Sequence, residues 1–449
     1  MGKLALYGGT PVLKGCPEEI FHWPIVNDAM RKAQLDVLEA GNMSGTDISR
    51  KFEQEFARWH GRKYGLAHNT GTNSLISAMY GIGLGAGDEL ICPTTTYWAS
   101  CTAALSLGAT VVFCDIREKD LEMDPDSFEA HITPRTKAVM VVHYMACPVD
   151  MDRVMAIARK HGLKVIEDVS HAQGGHYKGK LLGTFGDAAG MSLMSGKSFA
   201  IGEGGIMLTD DPEIYRRAIR FGHYDRIPEV YSPEEIAGTN CVPFGGQKFR
   251  MHQVSAAIGR EQLKKYPAEM AEIDRAMKYF WKGISDIKGL RLIYPEDPGS
   301  DKAGWYGSRF GYDPEAFGGV SNTVFTKALN AEVCGGLPEI GGGFSAGCNF
   351  PLHRSEVFCA TDIFGHGRPT AALNLPPAVD PRKLTGELPV SMQINGKLIG
   401  EPWFKHCDTA VIDRFVEAVR KVAENYRELL EEKDDSRQEG NIALTHRKK

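Results

Sequence analysis

Apolar positions along the chain change their period repeatedly, and the changes mark out a succession of helices and strands. Met30, Leu35 and Leu38 fall on one side of a helix over residues 28–40, which Gly41 stops. Phe52, Phe56 and Trp59 are spaced by four and three, so a second helix is predicted over 48–59, with its aromatics in the core. Short apolar runs then alternate with helical stretches. The runs lie at 64–67, 89–92, 110–113, 138–143, 164–166, 188–193 and 206–208, and the helices at 74–80, up to 161, at 211–221 and at 252–266. Such alternation predicts a largely parallel sheet flanked by helices. On the helix at 211–221, Arg216, Arg217 and Arg220 read as a solvated or interface face. Beyond Pro267 the texture changes. A helix over 268–289 gives way to short strands and Gly-rich loops (GGVSNTVFTKALNAEVCGG and GGGFSAG), an irregular stretch at 364–390, and a long amphipathic helix over 408–432. Pro and Gly near the start predict an extended arm. The division is therefore an arm over 1–25, a large domain over 26–266, a smaller α+β domain over 267–432, and a charged tail over 433–449. The tail has almost no apolar residues, which predicts disorder.

Composition narrows the function classes. The 449 residues are 43% hydrophobic and 24% charged, as in soluble globular proteins. A net charge of −5 offers no basic surface for nucleic acid or acidic lipid. No apolar run approaches the ~20 residues of a membrane helix, and the first residues lack a signal-peptide core. The ten cysteines are scattered without a Cys-x-x-Cys pair, so neither a metal site nor a disulfide framework is expected. A cytoplasmic protein with no nucleic-acid or membrane partner is the expectation.

The chemistry concentrates between Lys164 and Met207. One strand ends on two acids, Glu167 and Asp168, and another is followed by Lys197 among small residues. A desolvated lysine amine forms imines readily, and a carboxylate can keep a pyridine nitrogen protonated. Together these groups suit pyridoxal 5′-phosphate (PLP). Alone, a lysine near glycines is most often a solvated loop residue. Asn69-Thr70-Gly71-Thr72 opens a helix, and a helix start presents free N–H groups to an anion, though it can equally be a plain capped start. His143 reads as a structural histidine.

The runs Glu167-Asp168-Val169-Ser170-His171-Ala172, Gly183-Thr184-Phe185-Gly186-Asp187, Ser192 to Lys197 and Gly202-Glu203-Gly204-Gly205 resemble, in order and spacing, the DegT/StrS-type sugar aminotransferases. The resemblance covers nearly the whole chain. It implies an aspartate-aminotransferase-like PLP fold of type I and a homodimer with shared active sites. It also implies that Lys197 carries PLP as an imine and acts as general base and acid, and that Asp168 meets the pyridine nitrogen. By the same resemblance Gly71, Thr72 and Ser192 hold the phosphate, Tyr97 stacks on the ring, and His171 lies near the phenolic oxygen or ring face. Lys248 stands where the family has an asparagine that reaches the neighbouring subunit's phosphate. Met145 and Ala146 replace a common aromatic and glycine beside the substrate pocket. The opening Leu-Ala-Leu-Tyr-Gly-Gly-Thr-Pro-Val and the segment Trp403–His406 look like the keto-cyclitol (scyllo-inosose-type) branch of aminoglycoside pathways. The implied reaction moves an amino group from glutamine or glutamate to a cyclitol or free keto-sugar. A nucleotide-linked keto-sugar or nucleoside-type ketone is the alternative acceptor. A PLP-binding regulator without turnover is the alternative of another class.

Overall fold

The computed structural model describes residues 3–15, 17–333 and 342–434. Seven strands form the main sheet: β1 Tyr64–His68, β2 Glu89–Pro93, β3 Thr110–Cys114, β4 Thr136–Val142, β5 Lys164–Asp168, β6 Ala188–Ser192 and β7 Gly205–Thr209. Their spatial order is β1-β7-β6-β5-β4-β2-β3. All neighbours pair in parallel except β7, which runs against both β1 and β6. The strands read as continuous apolar runs because both faces are buried. Leu66, Leu90, Val111, Met140 and Ile166 enter the core on one face; Ala67, Ile91, Val112, Val141 and Val165 enter the core on the other. That strict alternation sends Glu167 and Asp168 to opposite sides.

β3 is an edge strand, and an uncovered edge invites pairing with other chains. The irregular Pro- and Gly-rich stretch covers it. Phe113 N–H donates to Thr385 Oγ1 (3.1 Å), Thr110 Oγ1 donates to Ala371 O (2.9 Å), and the Val390 and Ser391 N–H groups donate to the Asp115 carboxylate. A second sheet of four short antiparallel strands, in the order 290–292, 309–312, 398–400, 345–346, carries its own core around Phe280, Phe310, Phe325 and Phe415.

Several local readings change. Residues 252–289 are not two helices: one helix runs Gln253–Ile284 with Pro267 inside it. A proline removes one helical hydrogen bond, yet the helix continues because both halves are anchored. Tyr266 packs against Trp59 and Phe199, and Ile273, Met277 and Phe280 are buried beside the small sheet. Within the stretch read as strands and loops, Asn322–Glu332 is a helix capped by the Ser321 side chain. The last long helix stops at Glu424 and tightens into a 3₁₀ turn at Tyr426–Leu429. The arm is not simply extended. It holds 3₁₀ turns at Ala5–Tyr7 and Glu18–Phe21, and it buries Leu4, Ile20 and Phe21. On the first helix the buried residues are Met30 and Val37, whereas Leu35 and Leu38 stand 54% and 49% exposed. Of the arginine trio, Arg220 is buried with its guanidinium 4.0 Å over Phe244, and Arg217 donates to the carbonyls of Tyr80 and Gly81. Of the charged tail, residues 435–449 lie outside the described residues, as do 334–341 of the Gly-rich segment.

Candidate active site

The candidate site gathers where β1, β5 and β6 end and loops begin, as open α/β sheets favour. Thr70 caps the helix Gly71–Gly81, its hydroxyl accepting from Asn73 N–H (3.1 Å). The first-turn N–H groups of Gly71 and Thr72 have no acceptor within the helix, and they sit at the positive end of its dipole. Gly71 is buried against β6; a Cβ there would come within 2.5 Å of Ser192 Cβ. Gly205, paired with both His68 and Ser192, leaves room for the Thr70 carbonyl, which a Cβ would meet at 2.3 Å. Glycine at these places lets the start of the helix lie directly against Ser192.

Asp168 ends β5 and is 5% exposed. One carboxylate oxygen accepts from Ser100 Oγ (2.7 Å), the other from Ser170 N–H (3.0 Å). Ser170 Oγ in turn accepts from Ser192 N–H (2.9 Å). Gln173 extends the web. Its amide nitrogen donates to Ser192 O (2.7 Å), and its amide oxygen accepts from Ser198 Oγ (2.8 Å), next to Lys197. An ionised carboxylate has about four lone-pair positions. The two bonds to Asp168 therefore leave capacity for a ligand N–H.

Lys197 is 7% exposed. Its carbonyl accepts from the Trp23 indole N–H (2.9 Å), and its Nζ lies 4.1 Å from the centre of the Tyr306 ring. His171 leans on the same ring, centroids 4.6 Å apart. Its Nδ1 accepts from Met145 N–H (3.2 Å). Burial, then the charges of Lys197 and Arg309, hold the His171 ring well below its ordinary pKa, so it is neutral near pH 7. Met145 and Ala146 adopt left-handed backbone, φ 51° and 65°, which glycine accepts and an alanine resists. Tyr97 is 41% exposed, as is Trp98, and the two ring centroids lie 4.9 Å apart. Lys248 stands exposed, its Nζ 5.8 Å from the Tyr224 ring; its neighbour Phe249 pairs with Asn69 beside the helix start. Sequence reasoning did not single out Ser100, Ser170, Gln173, Trp23 or Tyr306. Ser170 sat inside a quoted motif, but Ser100, Trp23 and Tyr306 lay outside every one. His143 belongs to the other face, where its Nε2 meets Glu167 (3.2 Å).

A helix start beside Ser192, a buried carboxylate with unused acceptor positions and a buried lysine suit the phosphate, ring nitrogen and aldehyde of PLP. Among the described residues no cluster of three or more His, Cys, Asp or Glu could hold a metal, and no helix is long and apolar enough to cross a membrane. Fold and site define a PLP-dependent aminotransferase of fold type I. Comparison with known proteins agrees. The model of the DegT/DnrJ/EryC1/StrS aminotransferase family matches residues 25–332, and the chain belongs to that family. The L-glutamine:2-deoxy-scyllo-inosose aminotransferase of Streptomyces kanamyceticus is 38% identical over 420 residues, 88% of this chain and 91% of that protein. The GDP-perosamine synthase of Caulobacter vibrioides is 37% identical over 247 residues, 55% of this chain and 64% of that protein. The X-ray structure of the aminotransferase from Psychrobacter cryohalolentis superposes with a TM-score of 0.75 at 26% identity, covering 90% of this chain and 99% of that one.

Proposed function

We propose that this enzyme transfers an amino group from glutamine or glutamate to the ketone of a cyclitol or free keto-sugar, on a route to aminated rings. The observation that carries the reading is the buried pair Asp168 and Lys197, linked through Ser170, Ser192, Gln173 and Ser198. The near-full-length likeness to a scyllo-inosose aminotransferase supports the cyclitol.

When bound, PLP supplies an electrophilic carbon and a ring that accepts the electron pair left when the donor's α-proton departs. Lys197 Nζ holds the cofactor, then carries that proton from donor to cofactor carbon as base and acid. Asp168, fixed by Ser100 and Ser170, keeps the ring nitrogen protonated. Gly71, Thr72 and Ser192 would hold the phosphate, Tyr97 would pack on the ring, and neutral His171 would serve the phenolic oxygen. Lys248, exposed, reaches the phosphate of a second copy. The exposed Leu35, Leu38 and Met43 offer apolar surface to that copy. Eight free cysteines among the described residues suit a reducing, cytoplasmic setting.

The test is spectroscopic. Adding L-glutamine or L-glutamate should convert the covalent lysine–cofactor band to the pyridoxamine band, and 2-deoxy-scyllo-inosose should restore it. Restoration only by a nucleotide-linked keto-sugar would move the acceptor to the GDP-perosamine type. Conversion by neither donor would leave a PLP-binding protein without turnover.

A further inference from the structure

Tyr306 comes from the stretch joining the long helix to the second sheet, far in sequence from every motif discussed above. Its placement is costly. Two non-glycine residues beside it, Ala303 and Trp305, hold left-handed backbone at φ 46° and 55°. Each such residue costs of order 1 kcal/mol and persists only where surroundings over-determine it. Here they do. Trp305 is fully buried with its indole N–H on Asp274 (2.9 Å), and the Trp403 indole N–H donates to Gly304 O (2.8 Å). Gly304 lies so close to the lysine loop that a Cβ would come 2.4 Å from Ser198 Cβ. The Tyr306 ring is then wedged between His171 and the edge-on ring of Trp403, 4.6 and 5.5 Å away, with the Lys197 amine 4.1 Å from its centre.

We infer that Tyr306 is a positioning residue for Lys197: its ring face aims the amine and favours it once it has become an ammonium. This rests on the function proposed above. In that reaction the proton released as the donor's Cα–H bond breaks goes to Lys197 Nζ, and bound PLP would accept the electron pair. The proton later leaves Nζ for the cofactor carbon. The protonated amine is the form a π face attracts. Neutral His171 does not oppose it, and the Trp23 indole N–H bonded to the Lys197 carbonyl anchors the main chain.

The test uses the PLP-loaded protein with Tyr306→Phe, which keeps the ring, and Tyr306→Leu, which removes it. Tyr306→Met is made in parallel in case the leucine variant does not fold. Conversion to the pyridoxamine band is followed in single turnover with whichever of L-glutamine or L-glutamate converts the unsubstituted protein. The donor is used with and without deuterium at its α-carbon. Tyr306→Phe should stay within about twofold of the unsubstituted rate. Tyr306→Leu and Tyr306→Met should slow about 2- to 30-fold, the range of a cation–π contact. They should show a larger isotope effect, unchanged donor KM and the same amount of covalently held PLP. Leucine and methionine variants at full rate, a phenylalanine variant as slow as they are, or a loss confined to KM would overturn the inference. Failure of the unsubstituted protein to hold PLP through Lys197, or to respond to either donor, overturns the proposed function and this inference with it. That failure is recognisable because it appears without any substitution.

Discussion

The last two residues of β5 are both buried acids, yet the two sides of the sheet treat them differently. On one side Glu167 accepts from the N–H groups of Gly183, Phe185 and Gly186 at 2.7–2.8 Å, and from His143 Nε2 at 3.2 Å. Burial alone would raise its pKa. The His143 hydrogen bond, the Gly186 N–H and the nearby Arg62 more than reverse this, and its pKa lies below the ordinary glutamate value. Its four lone-pair positions are filled, and His60 and Arg62 lie close to it. Asp168, one residue on, has two donors, Ser100 Oγ and Ser170 N–H. Equal burial therefore does not make equal chemistry. An acid saturated by backbone donors braces a loop, and one with spare acceptor capacity can serve a ligand.

The sharpest way to break this contrast is Asp168→Asn. We expect activity to fall about a thousandfold, as for loss of one preorganised electrostatic group, with little change in thermal midpoint. Steady-state rates and calorimetry would check both halves; a comparable loss of stability would erase the distinction. Glu167→Gln should do the reverse. Its amide presents N–H groups to N–H donors, so stability should drop by about 3 kcal/mol in denaturant titration while activity per folded molecule persists.

A pH experiment probes the Glu167 side further. His60 is fully buried against Phe56, neither ring nitrogen has a hydrogen-bond partner among the described residues, and burial pushes its pKa down from 6.5 to about 4. Between those values the unfolded chain binds the proton that the folded chain refuses. Stability is thus complete above pH 6.5 and falls as pH drops toward 4, by at most about 3 kcal/mol. His60→Phe should flatten that fall while leaving pH 8 stability nearly unchanged; an equally steep acid loss in the variant would assign it to other groups. The smallest effect belongs to Ser100→Ala. One hydrogen bond to Asp168 disappears, and kcat should decline about tenfold, with stability shifted by no more than about 1 kcal/mol. A drop as large as that of Asp168→Asn would mean that Ser100 itself contacts a ligand.

How far the chain could be read depended on how local each signal was. The seven main strands were legible because runs such as Thr110–Cys114 and Thr136–Val142 are apolar and β-branched over their own length. The glycines at 71 and 205 were visible as motif letters, but their reason, the approach of Ser192 and the Thr70 carbonyl, was not. Leu35 and Leu38 misled because an apolar face on a helix says only that something covers it, and within the single chain Met30 and Val37 face the core instead. Pro267 misled for the opposite reason: its local cost is real, but packing on both sides of it prevails.

By itself, then, the sequence determined the alternating strands and helices, the acid-ended strand, the lysine after β6 and the glycine-opened helix. Each of these is written within a few consecutive residues whose period or side chain acts locally. The tertiary structure alone decided which acid keeps acceptor capacity to spare, how β3 is covered, and that Trp23 and Tyr306 close on Lys197. The Trp23 bond spans 174 residues of chain. Contacts of that reach are set by how sheets and helices pack against one another, and a short window of sequence carries no period or motif that records them.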